Sequence, residues 1–297
     1  MVLVTRYFKK LVHFFSSPDF YNTQVHFPTS HTPISDKITK DPRFKFFDKC
    51  IGTLDGSHIR AFTSTDDHPF MHNRKGYLSQ NCLFACDFSF DFIYALCGWD
   101  GSVSDSALWK DAVQNGLQVP VDRYLLGDAG FPLCDSLLVP YCGVCYHLRE
   151  WHEGRTGYVA YLVRLHSSNS CRPRNACELF NLRHAALHNI IEHIFGVLKR
   201  QWHILNFPPE YSMEIQARVP AALCTLHNFI NHFNVEAFND PDLDWTAMRF
   251  DERDDIPIAG SDHEENIVQG RDETECANER RDALAQAMWG DYLAECI

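Results

Sequence analysis

A mixed α/β fold is predicted for this 297-residue chain, and two patterns carry that prediction. Short apolar and aromatic runs bounded by Gly, Ser and Asp read as strands, and longer segments with apolar residues at helical spacing follow them. A content of 45% hydrophobic and 22% charged residues is that of a globular protein able to bury a full core.

The elements follow in order. Residues 1–44 hold one amphipathic helix, "MVLVTRYFKKLVHFF", and then a loop rich in Pro, Ser and Thr. Arg6, Lys9 and Lys10 interrupt the helix and no small-residue cleavage site follows, so it reads as neither a signal peptide nor a membrane span. "GTLDGSHIRAF" reads as a strand closed by Asp55. Residues 82–88 and 92–98 alternate aromatic and apolar side chains and pair as a hairpin through a turn at 89–91. "SVSDSALWKDAVQNG" starts a helix at Ser104 or Asp105 and stops it at Gly116. "VDRYLLGDAGFP" is a strand running into Asp128, and residues 146–178 are polar and irregular, an insertion. A helix over 185–203 carries Glu192 off the centre of its apolar stripe, and a second, from Met213, is expected to kink at Pro220.

The net charge of -12 is segregated. Residues 236–297 carry 18 acidic and 5 basic side chains, whereas the first 235 residues carry 21 and 22. A nucleic-acid partner for the body is therefore not excluded by charge. The tail is expected to be largely disordered, with a short amphipathic helix near 279–296. The 12 cysteines lie scattered through apolar segments, as free thiols in a reducing compartment do. Cys142 and Cys145 have thiol-redox or half-zinc-site spacing, but Cys171 and Cys177 do not complete a zinc set.

Three carboxylates stand out. Asp55 and Asp128 each end a strand and Glu192 sits on a later helix. Each alone reads as a turn residue or a solvated helix residue. Together they offer hard oxygen ligands for Mg²⁺ or Mn²⁺. Two such ions about 4 Å apart could activate a water or a 3′-hydroxyl and stabilise the leaving oxygen of a phosphodiester.

Six segments then resemble one family in order: "CIGTLDGSHIRAF", "NRKGYLSQNCLFACDF", "GWDGSVSDSALWKDA", "YLLGDAGFPL", "FNLRHAALHNIIEHIFGVLKRQWHIL" and "LCTLHNFI". They resemble the transposase-derived nuclease of the PIF/Harbinger superfamily, a DDE superfamily endonuclease, across residues 45–232. The resemblance implies an RNase H-like domain (DDE transposase/integrase type) over 45–235, with a mixed sheet flanked by helices. It places the DDE triad, as catalytic and metal-binding residues, on Asp55, Asp128 and Glu192. It further implies metal-dependent cleavage of DNA, nuclear location and a Myb/SANT-like DNA-binding partner protein, with no membrane partner. Asp105 and His58 are candidates to support the ligands from behind, against the plainer readings of a helix cap and a packed ring. Lys75, Arg183 and Lys199 are candidates to meet DNA phosphates.

The chain departs from the family pattern at Ser104, where His is usual, and at His188 and His193, where Arg is common. Gln201 replaces a residue that is often basic. "TRYFKKLVHFF" resembles the last helix of an upstream helix-turn-helix-like region, so sequence-specific recognition is expected to be absent or to come from a partner. The alternative is a catalytically retired derivative that serves as a protein- or DNA-binding module through its tail.

Overall fold

The computed structural model describes residues 2–64, 68–144, 173–233 and 271–295. Five strands, β1 (Cys50–Arg60), β2 (Ser79–Cys86), β3 (Phe92–Asp100), β4 (Tyr124–Leu126) and β5 (Leu137–Leu138), form one sheet in the order β3-β2-β1-β4-β5. Neighbours β1, β2 and β3 run antiparallel, and β4 and β5 run parallel to β1. The expected hairpin is present. Asp87 Oδ1 closes its turn by accepting from the N–H groups of Ser89 (2.7 Å) and Asp91 (3.1 Å).

The helices are α1 (Val2–Phe15), α2 (Pro18–Gln24), α3 (Asp36–Thr39), α4 (His68–Met71), α5 (Asp105–Gln114), α6 (Ala176–Gln201), α7 (Met213–Phe233) and α8 (Arg271–Glu295). Every residue of β2 is buried, so the sheet needs cover on both faces. On one face Leu54, Leu83, Leu125 and Leu137 meet Leu108, Trp109 and Ala112 of α5. On the other, Phe84, Leu126 and Leu138 meet α6, α7 and α8 through side chains such as Phe180, Ile191, Leu223 and Met288. Three layers result, with two cores separated by the sheet. Among the described residues no helix is long and apolar enough to cross a membrane.

Buried helix amides tie these layers together. Asn181 of α6 accepts from the N–H of Tyr141 (2.9 Å) and donates to its carbonyl (3.0 Å). Gln216 of α7 treats Phe62 the same way (2.8 and 2.6 Å), and Asn228 does so for Phe92 (2.8 and 2.7 Å). Each amide supplies the donor and acceptor that a neighbouring strand would have given, satisfying backbone groups where the ladder stops.

Three sequence expectations are corrected. Strand β1 does not close at Asp55: its antiparallel ladder with β2 continues through Asp55↔Phe84 to Arg60↔Ser79. What ends there is the other ladder, whose last pair is Thr53↔Leu126. Helix α7 carries Pro220 in its interior. A proline leaves the carbonyl four residues back without its helical donor, and here Gln80 Nε2 donates to that Gln216 carbonyl at 3.0 Å. Helix α6 begins at Ala176, inside the span read as an insertion. Asn175 caps it by accepting from Glu178 N (2.9 Å), while the Glu178 carboxylate reaches back to Arg174 N (2.8 Å). The tail helix is the 25-residue α8, packed on α6. Residues 146–172 of the supposed insertion, Cys145 before them, and the stretch 234–270 lie outside the described residues.

Candidate active site

The parallel pairing of β1 with β4 sets the site. Extending the register from Thr53↔Leu126 by two residues brings Asp55 beside Asp128, on the sheet face that α6 covers. Asp128 follows the end of β4 and is held by a short turn, its Oδ1 accepting from Gly130 N at 2.8 Å. Asp55 Oδ1 accepts from the N–H of Gly56 at 2.7 Å. Glu192 comes from α6 at the mouth of the cleft, and Asp55 and Asp128 are half-buried.

Asp105 enters from the opposite layer. Ser104 takes the N-cap position of α5 without a side-chain cap bond, so Asp105, the first helical residue, is not the cap. Its carboxylate instead receives Asn81 Nδ2 at 3.4 Å and lies over Gly56. A Cβ on Gly56 would come within 2.2 Å of Asp105 Oδ1, so the missing side chain is what lets this carboxylate approach.

These four groups feel one another's charge. Burial and then Asp128, Asp105 and Glu192 push the Asp55 carboxyl well above its ordinary value. Burial, then Asp128, raises Asp105. Burial also raises Asp128 against the help of the Gly130 N–H, and raises Glu192 against the favourable influence of His188. Crowded carboxylates without a cation resist ionising together. Their donor chemistry, oxygen only, suits a hard divalent ion. Even so, among the described residues no three His, Cys, Asp or Glu side chains stand in an arrangement that could hold a metal ion.

The remaining sequence candidates divide. His58 is half-buried, with Nδ1 3.2 Å from Ser79 Oγ. Burial lowers its pKa, Asp105 opposes that, and Lys199, Lys75 and Arg74 lower it further. His58 thus feels the charge of Asp105 on one side and of Arg74, Lys75 and Lys199 on the other. Arg74 is missing from the sequence reading, although it adjoins Lys75 in "NRKGY". Arg183 does not reach the cleft. It is 7% exposed and nine residues before Glu192, half a turn round α6. Against the desolvation of its own position, Asp41 is held below the usual carboxylate range by Arg43 and also by Arg183. His193 packs its ring on Phe90 at the hairpin tip, 5.3 Å between centroids.

Sequence reasoning also leaves out the role of His188. It is buried beneath the cluster, with Nε2 3.2 Å from the Leu54 carbonyl.

A three-layer α/β domain with carboxylates gathered from two strands and two helices at one end of its sheet is thereby defined. Residues 54–228 match the model of the DDE superfamily endonuclease family, and the chain belongs to that family. It is 25% identical to the protein named "Putative nuclease HARBI1" of Rattus norvegicus over 224 residues, 73% of this chain and 56% of the relative. The Homo sapiens protein of the same name is 25% identical over 198 residues, 64% of this chain and 48% of its own. "Protein ALP1-like" of Arabidopsis thaliana is 24% identical over 216 residues, 65% of this chain and 46% of its own. The chain thus spans about half the length of these curated relatives. No solved structure matches it.

Proposed function

We propose that the chain is a divalent-metal-dependent DNA endonuclease of PIF/Harbinger transposase origin, with an RNase H-like fold. One observation carries the reading: Asp55, Asp128 and Glu192, on two adjacent strands and a covering helix, sit close enough for each to alter another's ionisation. The strand order β3-β2-β1-β4-β5, with three antiparallel strands followed by two parallel ones, supports the RNase H-like assignment.

Asp55, Asp128 and Glu192 would hold Mg²⁺ or Mn²⁺. A bound ion would supply positive charge to offset these carboxylates, and Lewis acidity towards a water or hydroxyl and the leaving oxygen. Asp105, directed by Asn81, adds negative charge from the α5 side and orients groups at the edge of the cleft. Arg74, Lys75 and Lys199 all act on the charge of His58 beside the cluster, and DNA phosphates are the substrate groups they suit. His58, with its pKa lowered, is neutral at physiological pH and accepts or donates one hydrogen bond there. A Myb/SANT-like partner supplying sequence recognition, and a nuclear location, belong to this proposal.

A second reading has its own support. The carboxylates are not arranged to enclose a metal, as a retired enzyme kept as a binding module would allow. Nicking of supercoiled plasmid with Mn²⁺ separates the two. Asp128→Asn keeps the side chain's shape and removes its charge, so the wild type should nick and the variant should not. Equal nicking by both rules out this site as the source. Silence from both, with no Mn²⁺-induced rise in melting temperature, establishes the retired module.

A further inference from the structure

Residues 184, 188 and 192 follow one another at intervals of four along α6, on one face of the helix. Glu192 is the outermost of the three. The two histidines beneath it are 0% and 2% exposed, and their rings stack at 5.9 Å between centroids with 15° between planes. Each addresses a different strand through Nε2: His184 reaches the carbonyl of Leu138 in β5 at 3.1 Å, and His188 the carbonyl of Leu54 in β1 at 3.2 Å. Leu54 immediately precedes Asp55 and lies one residue past the last β1–β4 pair.

A carbonyl oxygen only accepts, so each of these nitrogens carries the proton. Burial lowers both rings' pKa, leaving them neutral with that nitrogen as the donor. A buried polar ring is costly unless its hydrogen bond is made, so sliding or rolling α6 on the sheet would break two such bonds. A one-residue slip along the helix moves a side chain by about 1.5 Å and turns it by about 100°.

We infer that His188, with His184 behind it, is a positioning residue: its bond to the Leu54 carbonyl fixes the height and rotation of α6, so that Glu192 is presented to Asp55 and Asp128. The inference rests on the nuclease reading for its functional consequence, but its geometry does not. Glu192 hangs from α6 and Asp55 from β1. The His188 bond attaches the helix to the strand at the residue next to the carboxylate.

The test compares wild type with His188→Leu, which fills the space without a donor, and His188→Gln, whose amide can donate to the same carbonyl. Nicking and the Mn²⁺-induced rise in melting temperature are measured for each. Outer ligand-supporting partners typically account for about ten- to a hundredfold in metal affinity or activity. A folded Leu variant should lose about that much of both, and the Gln variant should recover most of it. A role in packing alone predicts the reverse, with Leu the better replacement. A Leu variant that melts near wild type and keeps full metal response overturns the inference. Should the Leu variant not fold, the Gln variant decides, since a folded Gln protein without the metal response contradicts a role carried by the donor. The ¹⁵N ring shift of His188 in the metal-free wild type is a separate readout. It should report an Nε2–H tautomer, and an Nδ1–H tautomer overturns the inference even if the wild type proves inactive. If the wild type shows neither nicking nor metal response, the nuclease reading fails while the tautomer still judges the placement.

Discussion

At position 56 a single methyl group would meet the carboxylate of Asp105 at 2.2 Å, and at position 52 it would meet the backbone oxygen of Cys86 at 2.3 Å. The distances are alike and the consequences are not. A carboxylate at the end of a side chain can swing aside, whereas the carbonyl of a paired strand cannot move without opening the sheet. Gly52→Ala should therefore cost about 3 kcal/mol or more of stability, as overpacking against a rigid neighbour does. Gly56→Ala should cost no more than about 1 kcal/mol while displacing Asp105, lowering nicking by about tenfold. Urea unfolding of both variants beside plasmid nicking of the second checks the pair. A Gly56→Ala protein with wild-type activity would show that Asp105 need not occupy its observed place. The Gly after Asp55 reads in the sequence as a turn signal. In the structure it is the gap through which a residue of another layer reaches the cluster.

Among the elements, the hairpin, α5 and the two long helices are legible because alternation and helical spacing follow directly from which face is buried. Asp128 beyond its short strand is legible for the same reason. The course of β1 past Asp55 is not, because the pairing that continues, from Gly56↔Leu83 to Arg60↔Ser79, is set by β2 across an intervening loop. Nor is the full extent of α8, whose buried side chains are as sparse as Ala277, Ala285 and Met288. Polar anchors with no periodic signature hold it instead. Arg280 donates to the carbonyls of Asp135 (2.8 Å) and Cys134 (3.0 Å) and lies over the Tyr124 ring of β4. Arg281 stands 4.1 Å over the Tyr141 ring, and the Tyr141 hydroxyl donates to Asp282 at 2.6 Å. The sequence places a short helix near 279–296 in an otherwise loose acidic tail, and the structure extends it back to Arg271 and sets it against β4 and β5. Replacing both arginines by Ala should remove about 2–4 kcal/mol, the sum expected for hydrogen bonds from charged donors and two ring contacts. The loss should appear as a lower urea midpoint at unchanged slope. An unchanged midpoint would show that α8 does not contribute to the stability of the domain.

Over the whole molecule, charge is arranged against stability at the cluster. The folded-state pKa values of Asp55, Asp105, Asp128 and Glu192 all lie above their ordinary ones, with burial the largest cause in each. The folded protein thus holds these protons more tightly than the unfolded chain does. Their contribution is fully present below the unfolded carboxylate values, near about pH 4, and is lost as pH climbs through the folded ones. The buried histidines act in the opposite direction. His184, lowered to about 3, withdraws stability as pH falls through the unfolded imidazole value. Those opposing contributions cancel when a variant is compared with wild type at the same pH. Asp55→Asn keeps an oxygen to accept the Gly56 N–H and removes the charge that the cluster resists. It should melt with the wild type near pH 4 and above it at pH 8, by on the order of 1 kcal/mol, as when strained functional groups are removed. Mn²⁺ should raise the wild-type melting temperature more at pH 8 than at pH 5, since its ligands must shed protons to bind, and should leave the Asn variant nearly unmoved. An Asn variant less stable than wild type at pH 8 would mean that Asp55 is satisfied by the protein alone, and that the cluster has no need of a cation.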